Sequence, residues 1–269
     1  MQNENKPPSV LDNTEGYVTT IALNSPETGN VLSQSNLVLL REILRKAIAS
    51  DQCRVIVLKG RDGVFCRGLD FKAFIDNAPE MISEAYTSPY RDILNMIHNA
   101  SKPIIAYIDG EVLAGGMGLA LICDMVLATT NSTFGLSEVL FGLIPAYVTP
   151  VLLLRVPLKK LDYLILSSKR FDAAEAYHLG IVDDLLEPET AEKSLANYIK
   201  RVLYSAPQAL ALAKSFSKAM CEVTFEHAMK MAQDQLTQLL NDKNTTQAIT
   251  AFLEGGKPEW AVSYKRVKS

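Results

Sequence analysis

The chain has 269 residues, enough for one large domain or two small ones. Hydrophobic residues make up 48% and charged residues 21%, an ordinary balance for a globular protein with a sizeable core. A formal net charge of -3, with basic residues scattered, gives no electrostatic reason to expect nucleic acid or an anionic membrane as partner.

Cys53, Cys66, Cys123 and Cys221 lie far apart, without paired metal-ligand spacing. That pattern fits buried reduced thiols better than a disulfide framework and predicts a soluble cytoplasmic protein. The opening MQNENKPPSV shows no charged-then-apolar targeting pattern. The most apolar stretch, Leu143 to Leu154, is short and broken by Pro145 and Pro150, so no membrane-spanning helix is expected.

In chain order, the β-branched, alternating Tyr17 to Leu23 predicts a first strand, ended by Asn24-Ser25-Pro26. Ser33 is a helix N-cap; beyond it Leu37, Leu40, Ile43, Leu44, Ala47 and Ile48 recur at helical spacing. Arg54 to Lys59 is a nearly continuous apolar run, the mark of a strand buried on both faces. Strand, helix, strand in this order predicts a right-handed crossover. A turn-rich loop, Gly60 to Phe74, ends in a helix start at Asp70. The backbone at Gly68-Leu69 is a candidate N–H donor there; an ordinary capped turn explains the same residues. Residues 75–89 lack periodicity and suit a mobile pocket cover, and a helical pattern resumes from Tyr90 to His98.

Pro103 to Ile108 predicts a third long strand, leading into the most informative stretch, Ile108 to Pro150. Gly115-Gly116 predicts a bend into a short helix, roughly Met117 to Leu121. The first turn of a helix holds backbone donors with no intrahelical partner, and glycine lets a ligand approach them. Two readings stay open at this point: an anion or oxyanion site, or close helix–strand packing. Met125–Ala128 and Thr133–Gly135 are further short extended pieces. Glu138 follows among Phe134, Leu136, Val139, Leu140 and Phe141, where desolvation would raise its pKa. A solvent-facing loop glutamate is the other reading.

After Pro145 the pattern is helical: 158–167, 172–179 behind an Asp172 cap, 189–204, 207–221, 224–241 and 245–253. The shift suggests an α/β core, residues 1–204, and a helical C-terminal region, residues 205–269, within one functional unit and suited to an oligomer interface. His98, His178 and His227 fall on helical stretches away from the motifs and read as structural or exposed.

Several motifs stand together in register. They are Phe65-Cys66-Arg67-Gly68-Leu69-Asp70, Lys102-Pro103-Ile104-Ile105-Ala106, Ala114-Gly115-Gly116 with Cys123-Asp124, Phe134 to Pro145, and Ala251 to Pro258. Over nearly the whole chain they resemble the enoyl-CoA hydratase/isomerase, or crotonase, family. The resemblance implies an α/β fold with a ββα spiral core and a helical C-terminal trimerisation region, as a homotrimer or dimer of trimers. It implies an oxyanion hole from the N–H groups of Leu69 and Gly115, holding a thioester carbonyl. It also implies no cofactor beyond the phosphopantetheine arm of the substrate, on coenzyme A or on an acyl carrier protein.

One departure stands out. Hydratases of the family usually carry two catalytic glutamates, and here the first position is Gly118 while the second is Glu138. Leu136 to Tyr147, joined to Val112–Gly118, resembles more closely the dehydratase of β-branching cassettes in bacterial polyketide biosynthesis. That likeness implies loss of water from a 3-hydroxy-3-methylglutaryl group to give 3-methylglutaconyl, with Glu138 as base. The acid is Glu138 itself, returning its proton, or a tyrosine: Tyr147 by position, with Tyr86 and Tyr90 behind it. Gly68, Asp70, Lys72 and Gly116 complete the expected substrate-binding set, although Asp70 reads equally as a cap and Lys72 as a solvated lysine. Asp124 is expected to bond backbone. Lys257, Lys265, Arg266 and Lys268 face ligand phosphates, an acidic carrier surface, or solvent alone. Rival readings are an enoyl-thioester isomerase, a decarboxylase of the same cassette, and a non-catalytic scaffold.

Overall fold

The computed structural model describes residues 7–76, 84–221 and 223–264. Its core is built from strand pairs whose two members go to different sheets. The strands are β1 (Val10–Glu15), β2 (Val18–Leu23), β3 (Val55–Lys59), β4 (Val64–Cys66), β5 (Ile104–Ile108), β6 (Glu111–Leu113), β7 (Met125–Thr129), β8 (Thr133–Gly135), β9 (Arg170–Asp172) and β10 (Asp184–Leu186). The larger sheet runs β1-β2-β3-β5-β7-β10 and the smaller β4-β6-β8-β9. β2, β3, β5, β7 and β10 are parallel, while β1 closes the edge antiparallel to β2.

The apolar runs explain the larger sheet. Every residue of β5 is buried, as are four of the five in β3, because a parallel strand is covered on both faces. Burying each such Ile, Leu or Val contributes about 1.5–3 kcal/mol relative to exposure. α1 (Gln34–Ala49), capped by Ser33 as expected, lays Leu37, Leu40, Ile43, Leu44 and Ala47 into this core.

Between the sheets the chain turns the same way three times, and the turns stack. The Glu111 N–H donates to the Gly63 carbonyl at 3.0 Å, and Thr133 N–H to the Gly110 carbonyl at 3.1 Å. A Cβ on Gly110 would lie 1.8 Å from the Gly63 oxygen, and its φ is 113°, so this close stacking needs glycine. Each pass therefore sends one strand to the larger sheet, one to the smaller, then a helix, which is the repeating ββα spiral the resemblance implied.

The helices after α1 are α2 (Phe71–Asp76), α3 (Glu84–Asn99), α4 (Gly115–Leu121), α5 (Val148–Leu153), α6 (Leu158–Ser167), α7 (Ala173–His178), α8 (Ala191–Tyr204), α9 (Pro207–Met220), α10 (Phe225–Leu240) and α11 (Lys243–Leu253). Asp172 caps α7 by accepting from Glu175 N–H at 2.8 Å. α3 begins at Glu84, earlier than the Tyr90 start expected, and carries Pro89 inside it. Residues 77–83 of the expected cover lie outside the described residues. Cys53, Cys66 and Cys123 are buried thiols, but Cys221, at the end of α9, is exposed.

The chain divides into two compact units, Met1–Leu195 and Ala196–Ser269, so the boundary falls inside α8. The first holds both sheets; the second is helical. No described helix is long and apolar enough to cross a membrane.

Candidate active site

β4, β6 and β8 are adjacent parallel strands of the smaller sheet, with Cys66 opposite Val112, Val112 opposite Phe134 and Leu113 opposite Gly135. Their C-terminal ends lie side by side. Leu69 follows the first, Gly115 the second and Glu138 the third, so the topology gathers three residues that are far apart in sequence. In open α/β sheets the carboxyl ends of parallel strands are where ligands bind.

Two turns carry the backbone N–H groups expected as donors. Gly68 has φ 87°, and a Cβ there would lie 2.9 Å from Gly115 N. Only glycine fits this left-handed turn and this close approach. Ala114 precedes α4 with φ 48° and ψ -124°, a backbone sparsely populated by non-glycine residues. Its N–H is held by the Gly135 carbonyl at 2.9 Å, which ties this turn to the end of β8. Gly115 thus opens a helix with an N–H that has no intrahelical partner. Gly116 serves packing instead, since its Cβ would meet the Cys66 carbonyl oxygen at 2.2 Å where α4 lies against β4. Here the close-packing reading applies, while Gly115 keeps the donor reading.

Glu138 opens a short 3₁₀ turn, Glu138–Phe141, and is 8% exposed. The reading of it as a solvent-facing loop residue is therefore excluded. Among the described residues, its Oε2 is the one buried side-chain oxygen without a hydrogen-bond partner. Desolvation raises its pKa above the usual 4.5, partly offset by the N–H groups of Glu138 and Ser137. A buried carboxylate with an unused oxygen is costly unless something is meant to meet it. Such a group is poised to take a proton from a bound molecule.

Tyr90 is buried in α3, and its hydroxyl donates to the Gly115 carbonyl at 2.6 Å. Burial, with the neighbouring Cys66 thiol and Glu138 carboxyl, holds its pKa well above 10.0. Tyr147 is half-exposed and meets the Tyr90 ring edge-on, centroids 5.6 Å apart. Both tyrosines therefore border the site. Asp70 accepts from Ala73 N–H at 3.0 Å as the cap of α2, the alternative its sequence context suggested. Asp124 accepts from Ile104 N–H at 2.7 Å, as expected of a backbone-bonding residue. The side chains of Lys72 and Tyr86, and residues 265–269 with Lys265, Arg266 and Lys268, lie outside the described residues. Lys257 lines a concave surface of about 460 Å³ within the helical unit, beside Trp260 and Pro207.

Two donors beside one desolvated carboxyl can hold a developing enolate oxygen while a proton moves at the neighbouring carbon. The family model described as enoyl-CoA hydratase/isomerase matches residues 13–263. The chain belongs to the enoyl-CoA hydratase/isomerase family. It is a hydro-lyase with enoyl-CoA hydratase-type activity, and acyl-CoA substrates fit it.

A probable enoyl-CoA hydratase of Rhizobium meliloti is 30% identical over 263 residues, covering 94% of this chain and 97% of its own. The crystal structure of an enoyl-CoA hydratase from Bacillus anthracis superposes with a TM-score of 0.88 at 26% identity, covering 94% and 99%. The bacillaene synthase dehydratase PksH of Bacillus subtilis is 26% identical over 248 residues, covering 91% and 94%. Sequence reasoning missed Arg155 in this family member. Its guanidinium donates at 2.9 Å to the carbonyls of Leu121 and Cys123 and pairs with Asp183, fixing the C-terminal end of α4. A lone arginine after an apolar helix carries no local signature that would have marked it. Among the described residues no group of three or more His, Cys, Asp or Glu side chains is arranged to hold a metal ion.

Proposed function

We propose that this chain removes water from a branched β-hydroxyacyl thioester, with 3-hydroxy-3-methylglutaryl on an acyl carrier protein as substrate and the 3-methylglutaconyl thioester as product. The observation that carries the reading is the buried, unpartnered Oε2 of Glu138, in a chain where position 118 is glycine. The similarity to PksH supports the choice of acyl group, although hydratases of other substrates are equally similar.

In this mechanism the thioester oxygen accepts from the N–H groups of Leu69 and Gly115. Glu138 takes the α-proton; the C–H electron pair moves into the enolate, whose negative oxygen the two donors stabilise. The enolate then re-forms the carbonyl as the β-carbon–oxygen bond breaks. Glu138 returns its proton to the departing hydroxyl, which leaves as water, and the carboxylate is regenerated. One carboxylate serving both steps needs the α-hydrogen and β-hydroxyl on one face of the substrate. Tyr147 is the candidate for assisting the departing hydroxyl.

The test is intact-mass measurement of the loaded carrier protein after incubation with the enzyme. Loss of one water mass is expected. No change with this substrate, together with conversion of a 3-enoyl-CoA to its conjugated isomer, would replace the reading with an isomerase. Turnover of crotonyl-CoA alone would return the chain to simple hydration. Tyr147→Phe is expected to lower turnover about tenfold or more if the hydroxyl assists departure; unchanged turnover would leave Glu138 as the acid.

A further inference from the structure

Gly118 sits within α4, where glycine is disfavoured relative to alanine. A Cβ at that position would lie 2.4 Å from the Tyr90 hydroxyl oxygen and 3.3 Å from Cγ2 of Val148. The same hydroxyl donates to the Gly115 carbonyl at 2.6 Å, and the Tyr90 ring is wedged edge-on to Tyr147. One buried phenol therefore meets both the first residue of α4 and the empty face of Gly118.

We infer that Tyr90 is a positioning residue: its hydroxyl holds the first turn of α4, from which Gly115 presents its N–H, and fills the space over Gly118 so that no side chain there shares the site with Glu138. The inference rests on the reading of Gly115 N–H as an oxyanion donor. A role as acid fits Tyr90 poorly. Its proton is engaged by the Gly115 carbonyl, and losing it would leave a buried phenolate near the Glu138 carboxyl. As a spacer the phenol acts twice, through the peptide it anchors and through the volume it occupies. Glycine at 118 is then a consequence of tyrosine at 90.

The experiment compares Tyr90→Phe, Gly118→Ala and the double variant with the wild type. Readouts are kcat and KM on the acyl thioester that the wild type converts, and amide hydrogen exchange over residues 114–118. Tyr90→Phe keeps the ring and removes one bond. It is expected to lower kcat about tenfold or more, leave KM within about twofold and speed exchange in the first turn of α4. Gly118→Ala should push the phenol aside and produce a similar loss. In the double variant the added methyl would meet no hydroxyl and has 3.6 Å to Cζ of the ring, so its loss should not exceed that of Gly118→Ala alone. Unchanged kcat in Tyr90→Phe, unchanged exchange, or losses that simply add would each overturn the inference. If the wild type converts no acyl thioester, the proposed function fails, and the exchange comparison still decides the role of Tyr90.

Discussion

Glu138 combines two properties that ordinarily exclude each other, burial and an unused carboxylate oxygen. Its raised pKa has consequences for both stability and rate. Between 4.5 and the raised native value the folded protein binds more protons than the unfolded chain, so stability falls as pH rises through that window. Glu138→Gln removes the desolvated charge. The variant is expected to melt higher than the wild type above the window, with the difference shrinking as pH falls through it to below 4.5, where both states are protonated. Thermal melts across pH measure this; a gap that widened on acidification would contradict the sign. Catalysis runs the other way, since the base must be ionised. The acid limb of the pH–rate profile should lie above 4.5, and Glu138→Gln should lose about 100-fold or more in turnover with its circular dichroism unchanged.

At the scale of elements, the site depends on how tightly α4 lies against β4 and how firmly its far end is held. Gly116→Ala would drive a methyl against the backbone of Cys66, which cannot rotate away. A cost of about 1–3 kcal/mol is expected from such overpacking, read by urea denaturation, together with reduced turnover because the Gly115 turn must shift. Wild-type stability in this variant would mean the β4–α4 contact relaxes freely. Arg155→Met keeps much of the aliphatic stem and removes the donors to the Leu121 and Cys123 carbonyls. Arg155 is only 12% exposed, so solvent screens these bonds little, and a loss of about 1–3 kcal/mol is expected by the same measurement. Elements were unevenly legible beforehand. β3, β5 and α1 stood out because their apolar patterns are continuous or periodic, whereas β4, β6, β9 and β10 have three residues each, too few to show a period, and β4 fell within the stretch read as a loop. The β1–β2 hairpin was half seen, since β1, VLDNTE, is polar and exposed along most of its length.

For the whole molecule, the helical unit presents an unusual surface. Phe225 is 82%, Phe252 71% and Leu253 78% exposed, and α9, α10 and α11 bury none of their residues in the single chain. Amphipathic helices with uncovered apolar residues suit assembly, and closed rotational symmetry is the usual outcome. The expected result, by likeness to the family, is a particle of three or six times the 29.6 kDa chain mass in light scattering after size exclusion. Phe252→Glu should shift it towards the single-chain mass. A wild-type monomer at micromolar concentration would remove the oligomer from the account.

Sequence alone determined the long apolar strands, the capped helices and the two glycine turns, because each rests on local physics: burial periodicity, an N-cap oxygen, a backbone that needs no Cβ. It also singled out Glu138, through its apolar neighbours and the family motifs. It could not decide whether that glutamate faced solvent, which glycine packs against β4, or what stands over residue 118. Those answers depend on residues distant in the chain. Three parallel strands bring Leu69, Gly115 and Glu138 to one edge, and Tyr90 arrives from α3 to stand over Gly118. Such meetings are set by sheet order and by a 2.6 Å hydrogen bond between residues twenty-five positions apart, and no local pattern in the chain encodes them.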